Sequence, residues 1–225
     1  AHALDNPNMQ FLAMLDDDEW PSPQWLTELL RIQRETGADA VEGPVASVHE
    51  GETLAQYDGV ARNRGASGLT ETLEGAGNIL LTRACLEAMP APWFDPAFAL
   101  TGGEDKDFFV RLARAGARFA WSAEALATTE VPATRMGLKW ALRRAYGVGN
   151  SDMRIFLKHE NNIPARLREL AKIMGALLLS PLMFIILGAS PNRRETALRK
   201  FFRAVGKMAA LFGSTYHEYA VIHGE

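Results

Sequence analysis

The 225-residue sequence contains a single cysteine and none of several familiar enzyme signatures. Because Cys85 stands alone, no disulfide can form within the chain, which suits a reducing cytoplasm. The five histidines lack the spacing of a zinc site, and neither a Gly-x-Ser-x-Gly motif nor a phosphate-binding P-loop occurs. The first ten residues have neither a basic start nor an apolar core, so we expect no signal peptide there.

Charge is distributed unevenly along the chain. Residues 1–130 contain 9 Lys/Arg and 21 Asp/Glu, whereas residues 131–225 contain 15 Lys/Arg and 6 Asp/Glu. The composition, 48% hydrophobic and 23% charged, is that of a globular protein. The asymmetry indicates two tasks, and the basic half suits an anionic lipid, a diphosphate or nucleic acid.

The strongest clue is a run of acids after a short apolar segment. Phe11–Leu15 predicts a buried strand, and Asp16, Asp17 and Asp18 follow it directly. Like charges this close repel one another unless a cation lies between them. A hard divalent ion, Mg²⁺ or Mn²⁺, is the natural neutraliser, and it could bind a diphosphate and stabilise a leaving group. The alternative is a solvated acidic turn.

A βαβ rhythm over residues 11–130 predicts an α/β layer fold. Further strands are predicted in the segments 40–48, 79–81 and 118–121, a helix capped by Ser22 is predicted to end near Thr36, and residues 50–73 are predicted to be mostly loop. In such sheets ligands bind at the carboxyl ends of strands, which is where Asp16–Asp18 lie. After Pro132 the pattern is helical and basic.

Two more segments of this half carry candidate chemistry. Glu104-Asp105 begins a predicted helix after Gly102-Gly103, so Asp105 could act as a general base and the glycines as a hinge that closes a loop. The alternative is simple complementarity to the helix dipole. Gly75–Asn78 could let a ligand approach the backbone, or could form an ordinary turn.

The basic half offers a phosphate-binding helix and an apolar segment. Trp140 and Arg144 share a helix face, and Arg143 and Arg144 could bind phosphates, unless this is only a solvated basic face. Residues 173–190 form 18 residues without a charge, about 27 Å as a helix. Pro181 interrupts them and basic residues flank both sides, which favours a helix lying in a membrane interface. A buried helical hairpin is the alternative.

Four segments, in order, resemble those of family 2 glycosyltransferases. Residues 11–21 resemble the Asp-x-Asp segment, residues 75–81 the acceptor-side strand, residues 102–112 the Glu-Asp motif, and residues 143–151 the basic helix that follows. The sequence is most similar to bacterial exopolysaccharide glucosyltransferases of the succinoglycan type. The resemblance covers about residues 1–150.

The resemblance implies a GT-A, Rossmann-like fold and an inverting, metal-dependent transfer of a hexose, such as glucose from UDP-glucose, to a lipid-linked saccharide. It implies Asp105 as the base, with Glu104 placing the acceptor. Asp18 and Asp16 would bind the metal, and Asp17 would contact the donor. The acceptor side would comprise Trp20, Gly77, Asn78 and Gly103, and the diphosphate side Arg143 and Arg144.

The chain departs from this family at its start, because members have a nucleotide-binding half before the Asp-x-Asp segment. We therefore expect residues 1–132 to be the C-terminal portion of a GT-A catalytic domain. Residues 133–225 would be a membrane-associating tail at the cytoplasmic face of the inner membrane, with no nucleic acid as partner. The alternatives are a non-catalytic membrane-associated fragment and an Asp-based phosphohydrolase of the haloacid-dehalogenase type, in which Asp16 would be the nucleophile.

Overall fold

The computed structural model describes residues 2–49, 64–186 and 191–217, and it confirms a mixed α/β fold with a helical C-terminal region. The chain divides into two compact units. The first comprises Ala1–Asp95 and Asp105–Ala133, and the second comprises Pro96–Glu104 and Thr134–Glu225. The interpretation of residues 1–132 as the C-terminal portion of a catalytic domain stays a prediction.

Two mixed sheets form the first unit. Their strands are β1 (Phe11–Leu15), β2 (Glu19–Pro21), β3 (Ala40–Glu42), β4 (Val45–His49), β5 (Gly68–Thr70), β6 (Asn78–Thr82), β7 (Phe119–Trp121) and β8 (Ala127–Val131). The larger sheet has the order β1-β6-β3-β7-β5 and the smaller has the order β2-β8-β4. The pairs β3/β7 and β4/β8 are parallel and the other pairs are antiparallel.

Strand β6 is the centre of the first unit's core because both of its faces are covered. Successive side chains of a strand point to opposite faces. Ile79 and Leu81 therefore pack in one cluster with Phe108 of helix α3 (Glu104–Arg114), whereas Leu80 packs in another with Leu29 of helix α1 (Trp25–Thr36). All five residues are at most 2% exposed. The predicted apolar strand is thus confirmed as a two-sided core strand.

Some local predictions were right and others wrong. A strand is confirmed at residues 11–15, but it is half-buried to exposed rather than buried, because it lies at the edge of the larger sheet. Thr82 caps the short helix α2 (Arg83–Glu87), since its Oγ1 accepts a hydrogen bond from the Cys85 amide. Ser22 is not a cap: α1 has Gln24 at that position without a side-chain bond. Within the predicted loop 50–73, residues 50–63 lie outside the described residues, and β5 follows them.

Three helices dominate the second unit: α4 (Leu138–His159), α5 (Ile163–Ile186) and α6 (Pro191–Leu211). Two glycines allow α4 and α6 to approach closely. A Cβ on Gly149 would overlap the carbonyl oxygen of Arg203, and a Cβ on Gly206 would overlap that of Tyr146. Buried Asn150 adds a bond from Nδ2 to the Ser214 carbonyl (2.9 Å).

Helix α5 contains most of the uncharged segment and continues through Pro181. Across the ranges that the structure describes, none of the helices combines the length and the apolar character needed to cross a bilayer.

Candidate functional site

The three aspartates lie in the turn that leaves β1. The Asp16 amide donates to the Gly77 carbonyl (3.0 Å), and the Glu19 amide donates to the Asp16 carbonyl (3.1 Å) before β2 begins. Asp16, Asp17 and Asp18 are all exposed. The end of β1 and the segment before β6 therefore form one edge, because Leu15 pairs with Asn78 across the sheet.

Gly77 is the point at which the backbone meets the acidic side chains. A Cβ on this residue would lie 2.7 Å from Asp16 Oδ2 and 2.9 Å from Glu19 Oε1. Any side chain here would displace those carboxylates, so the close approach requires glycine. The sequence interpretation of residues 75–78 as a close-approach segment fits this geometry, although the neighbour is the chain's own acid.

Asp105 reaches the same segment from the other side. Its Oδ2 accepts a hydrogen bond from the Ala76 amide (3.2 Å), and its charge raises the pKa of Asp16. The main cause of that pKa shift is desolvation of the Asp16 carboxylate, followed by the charges of Asp105, Asp18 and Asp17. Asp16 and Asp105, far apart in sequence, thus share one electrostatic site.

Glu19 belongs to this site and was not among the predicted site residues. Burial, and next the charge of Asp16, raise the pKa of Glu19 to about 7. Its Oε2 is buried and accepts no hydrogen bond from any residue of the described part of the chain. The available signal was its place as the fourth acid in the run, but the turn that directs it inward is not visible in the sequence.

A second missed residue, Glu42, supports the segment from behind. Glu42 is 7% exposed, and its carboxylate accepts hydrogen bonds from the Glu74 amide (3.2 Å) and the Gly75 amide (3.1 Å). Burial raises the pKa of Glu42, while Arg64, at 3.4 Å, and the two amides oppose that shift. Glu42 therefore fixes the backbone immediately before Ala76 and Gly77.

Asn78 is buried and fully engaged within the first unit. Its Oδ1 accepts from Trp25 Nε1 (2.6 Å), and its Nδ2 donates to the carbonyls of Pro44 (2.9 Å) and Ala125 (2.8 Å). These bonds show a structural role. Its assignment to the acceptor side stays a prediction, as does that of Trp20, which is 54% exposed on β2.

Glu104 and Asp105 occupy the first turn of α3, where the helix dipole favours negative charge. Glu104 Oε2 is buried, and within the described ranges no group bonds to it. The preceding loop is not a free hinge: a Cβ on Gly103 would lie 3.1 Å from Ser151 Cβ, and Ser151 Oγ donates to the Thr101 carbonyl (3.0 Å).

The remaining predicted residues lie in the second unit. Arg143 is exposed on α4 and Arg144 is half-buried beside it. Gly103 has a positive φ of 99°, a backbone conformation that favours glycine. Their predicted roles stay predictions, and the cluster that the structure assembles consists of Asp16, Glu19, Gly77 and Asp105 in the first unit.

Residues 2–49, 64–186 and 191–217 include no group of three or more His, Cys, Asp or Glu side chains arranged to hold a metal ion. The carboxylate oxygens of this cluster are nevertheless the kind of ligand that a hard cation prefers. Magnesium commonly binds one or two carboxylates together with substrate phosphates and water, so it needs no closed protein cage. Burial is the main cause of the raised pKa values of Asp16 and Glu19, and the neighbouring acids add a charge repulsion that a cation would relieve.

Comparison with curated proteins finds a likeness to one succinoglycan biosynthesis protein. The chain is 34% identical over 167 residues to the succinoglycan biosynthesis protein ExoM of Rhizobium meliloti (strain 1021), covering 71% of this chain and 52% of ExoM. The chain is a relative of ExoM. The resemblance to succinoglycan-type proteins seen in the motifs is confirmed, and the chain spans about half the length of ExoM. No family model matches it.

Similar solved structures are more distant than ExoM. S. aureus TarS 1–349 in complex with UDP is 13% identical, with a TM-score of 0.43, and the match covers 100% of this chain and 73% of TarS. A197 from STIV is 21% identical, with a TM-score of 0.37, and the match covers 53% of this chain and 57% of A197. Likenesses at these TM-scores decide neither fold nor function.

Proposed function

We propose that this chain is part of a GT-A glycosyltransferase of exopolysaccharide synthesis that transfers a hexose from a nucleotide-sugar donor to a saccharide acceptor. The relationship to ExoM supports the process. The observation that carries the chemistry is the Ala76-Gly77 turn, which contacts Asp105 on one side and Asp16 on the other. A base for the acceptor hydroxyl would thereby lie beside the acids that would hold a cation for the donor's diphosphate.

Asp105 would remove the proton from the acceptor hydroxyl. The hydroxyl oxygen would attack the anomeric carbon from the face opposite the diphosphate, and the bond to the diphosphate would break as that group takes the electron pair. One such displacement inverts the configuration of the sugar. The Ala76 amide holds the Asp105 carboxylate, and Glu104 would place the acceptor.

Asp18 and Asp16 would hold Mg²⁺ or Mn²⁺, and Asp17 would contact the ribose or sugar of a UDP-hexose. When bound, the ion would supply positive charge that stabilises the departing diphosphate. The acceptor would be a lipid-linked saccharide at the cytoplasmic face of the bacterial inner membrane, which the basic second unit suits by its charge.

The test uses the full 225-residue chain with UDP-glucose and membrane-extracted lipid-linked saccharides, and UDP release is measured. We expect Asp105→Asn to lower turnover about 10²- to 10⁴-fold, the usual contribution of a positioned base. Calorimetric UDP binding with Mn²⁺ should persist, because Asp105 acts on the acceptor and Asp16–Asp18 are intact. The control is Glu87→Gln, a carboxylate at the end of α2 that is paired with Arg83.

Full turnover in Asp105→Asn would contradict its role as the base. Absence of Mn²⁺-dependent UDP binding by the unaltered chain would contradict the donor site in this chain and favour a non-catalytic fragment. Hydrolysis of a phosphate monoester that disappears in Asp16→Asn would instead indicate the phosphohydrolase.

A further inference from the structure

A groove of about 520 Å³ lies between α5 and α6 in the second unit. Its floor is apolar and its α6 side is cationic. The lining is Glu169, Lys172, Ile173, Gly175, Ala176, Leu179, Ser180, Met183, Lys200, Arg203, Ala204 and Lys207. Four lining residues are basic and one is acidic, and Arg203 pairs with Asp152 of α4, so a positive balance that favours an anion remains.

The cations on α6 form a row. Lys200, Arg203 and Lys207 are spaced by three and four residues, which places them on one face of the helix. Lys207 and Lys172 share a single acid, Glu169, at 2.6 Å and 3.3 Å. Lys200 is exposed and forms no ion pair with any residue that the structure describes, so its charge is available to a ligand.

The outer face of α5 is apolar over nearly its full length. Leu167, Met174, Leu178, Leu182 and Ile185 are spaced by seven, four, four and three residues and are 43–76% exposed. A stripe of this size is unusual on a soluble surface and marks a contact site. Leu179 and Met183 are also exposed and line the groove, so stripe and groove are continuous.

We infer that the α5–α6 pair binds an anionic phospholipid membrane, with a lipid phosphate in the groove and the α5 stripe in the interface. Helices with one apolar face and neighbouring Lys/Arg lie in the membrane plane in this way. A second copy is disfavoured as the occupant because α5 and α6 together carry nine Lys/Arg and two Glu, so self-docking would bring like charges together. The inference does not depend on sugar transfer.

Flotation of the full chain with vesicles tests whether the cationic groove contributes to membrane binding. Vesicles of phosphatidylcholine with added phosphatidylglycerol should bind the chain, whereas pure phosphatidylcholine should bind it weakly. Lys200→Gln should weaken binding to the anionic vesicles about fivefold, the effect of one basic residue at an anionic surface. The matched control, Lys139→Gln, removes an exposed charge from the first turn of α4 outside the groove and should change binding less.

Two further variants test whether the apolar stripe of α5 contributes to membrane binding. Leu178→Ser, at a side chain that is 70% exposed, should weaken vesicle binding about tenfold, since partial burial of a leucine is lost. Leu69→Ser, at a side chain that is 64% exposed in the first unit, should leave binding unchanged. Because both side chains are exposed, neither variant threatens folding.

The inference is overturned if pure phosphatidylcholine binds equally well, or if Lys200→Gln and Lys139→Gln weaken binding alike. It is also overturned if Leu178→Ser binds normally, if inorganic diphosphate saturates the groove without vesicles, or if the chain dimerises through α5. UDP binding measured without vesicles reports on the proposed transferase separately, so either idea can fail alone.

Discussion

Each unit contains a glycine at a close contact, but the two glycines meet different partners. Gly149 faces the backbone of α6 at Arg203, whereas Gly77 faces the carboxylate ends of Asp16 and Glu19. A helix backbone moves only with its whole helix, but a carboxylate can rotate about its side-chain bonds. The contact between α4 and α6 is therefore rigid. The edge formed by Asp16, Glu19 and Gly77, called the acidic edge below, is adjustable, which suits a site that must accommodate a ligand.

Substitution of Gly149 should have the largest effect. We expect Gly149→Ala to lower the free energy of unfolding by about 3 kcal/mol, because α4 and α6 must separate to admit a methyl group. The control is Gly175→Ala in α5, which meets nothing within 4 Å and should gain about 1 kcal/mol from better helix propensity. Urea unfolding of both variants measures the difference, and equal midpoints would show that α4 and α6 are not in rigid contact.

The raised pKa of Glu19 at the acidic edge should make the free energy of unfolding depend on pH. The pKa of Glu19 is about 7 in the folded chain, against 4.5 for an ordinary solvated glutamate, so the folded state binds the proton more tightly. Its stabilising contribution is complete below about pH 4.5 and is lost as pH rises to about 7. After solvent screening we expect a loss of about 1–2 kcal/mol.

Thermal unfolding in metal-free buffer between about pH 4 and pH 8 measures this loss. Glu19→Gln should flatten the profile over that range, whereas Glu87→Gln, at a more exposed carboxylate, should leave it unchanged. An unaltered slope in Glu19→Gln would mean that its carboxylate is not desolvated.

Gly77→Ala should cost the least stability, about 1 kcal/mol or less, because the opposing carboxylate ends can move aside. The displaced Asp16 should nevertheless weaken Mn²⁺-dependent UDP binding. Gly75→Ala is the control, since its Cβ meets nothing within 4 Å. Calorimetry and thermal unfolding of the two variants separate the effects, and a stability loss as large as that of Gly149→Ala would contradict the contrast between the units.

Periodicity and abrupt changes of composition predicted the long elements. The apolar runs of β1 and β6, the amphipathic α3 and the helical character of the C-terminal region all follow from local pattern. Strands β2, β5 and β8 escaped prediction because none has an apolar run: β2 is Glu-Trp-Pro, β5 is Gly-Leu-Thr, and β8 carries two threonines and a glutamate. Such strands are specified by their partners elsewhere in the chain.

The candidate site could be anticipated where acids are concentrated in the sequence, since the structure brings Asp16 and Asp105 to one segment, while their roles stay predictions. It was not predictable where a lone polar residue acts through a distant backbone. Glu42 supports amides 32 and 33 positions away, and Asn78 bonds to groups 34 to 53 positions away. Neither residue has a local signature, because their partners are determined by the tertiary fold.

Asn78 has a consequence for how the acidic edge comes into being. One side chain joins α1, the β3–β4 turn and the segment before β8, and its backbone pairs with the residue that precedes Asp16. The geometry around Asp16 therefore forms only when all these segments have docked. We therefore expect the acidic edge to assemble together with the first unit, so that a population that has folded this unit has also built its acidic edge.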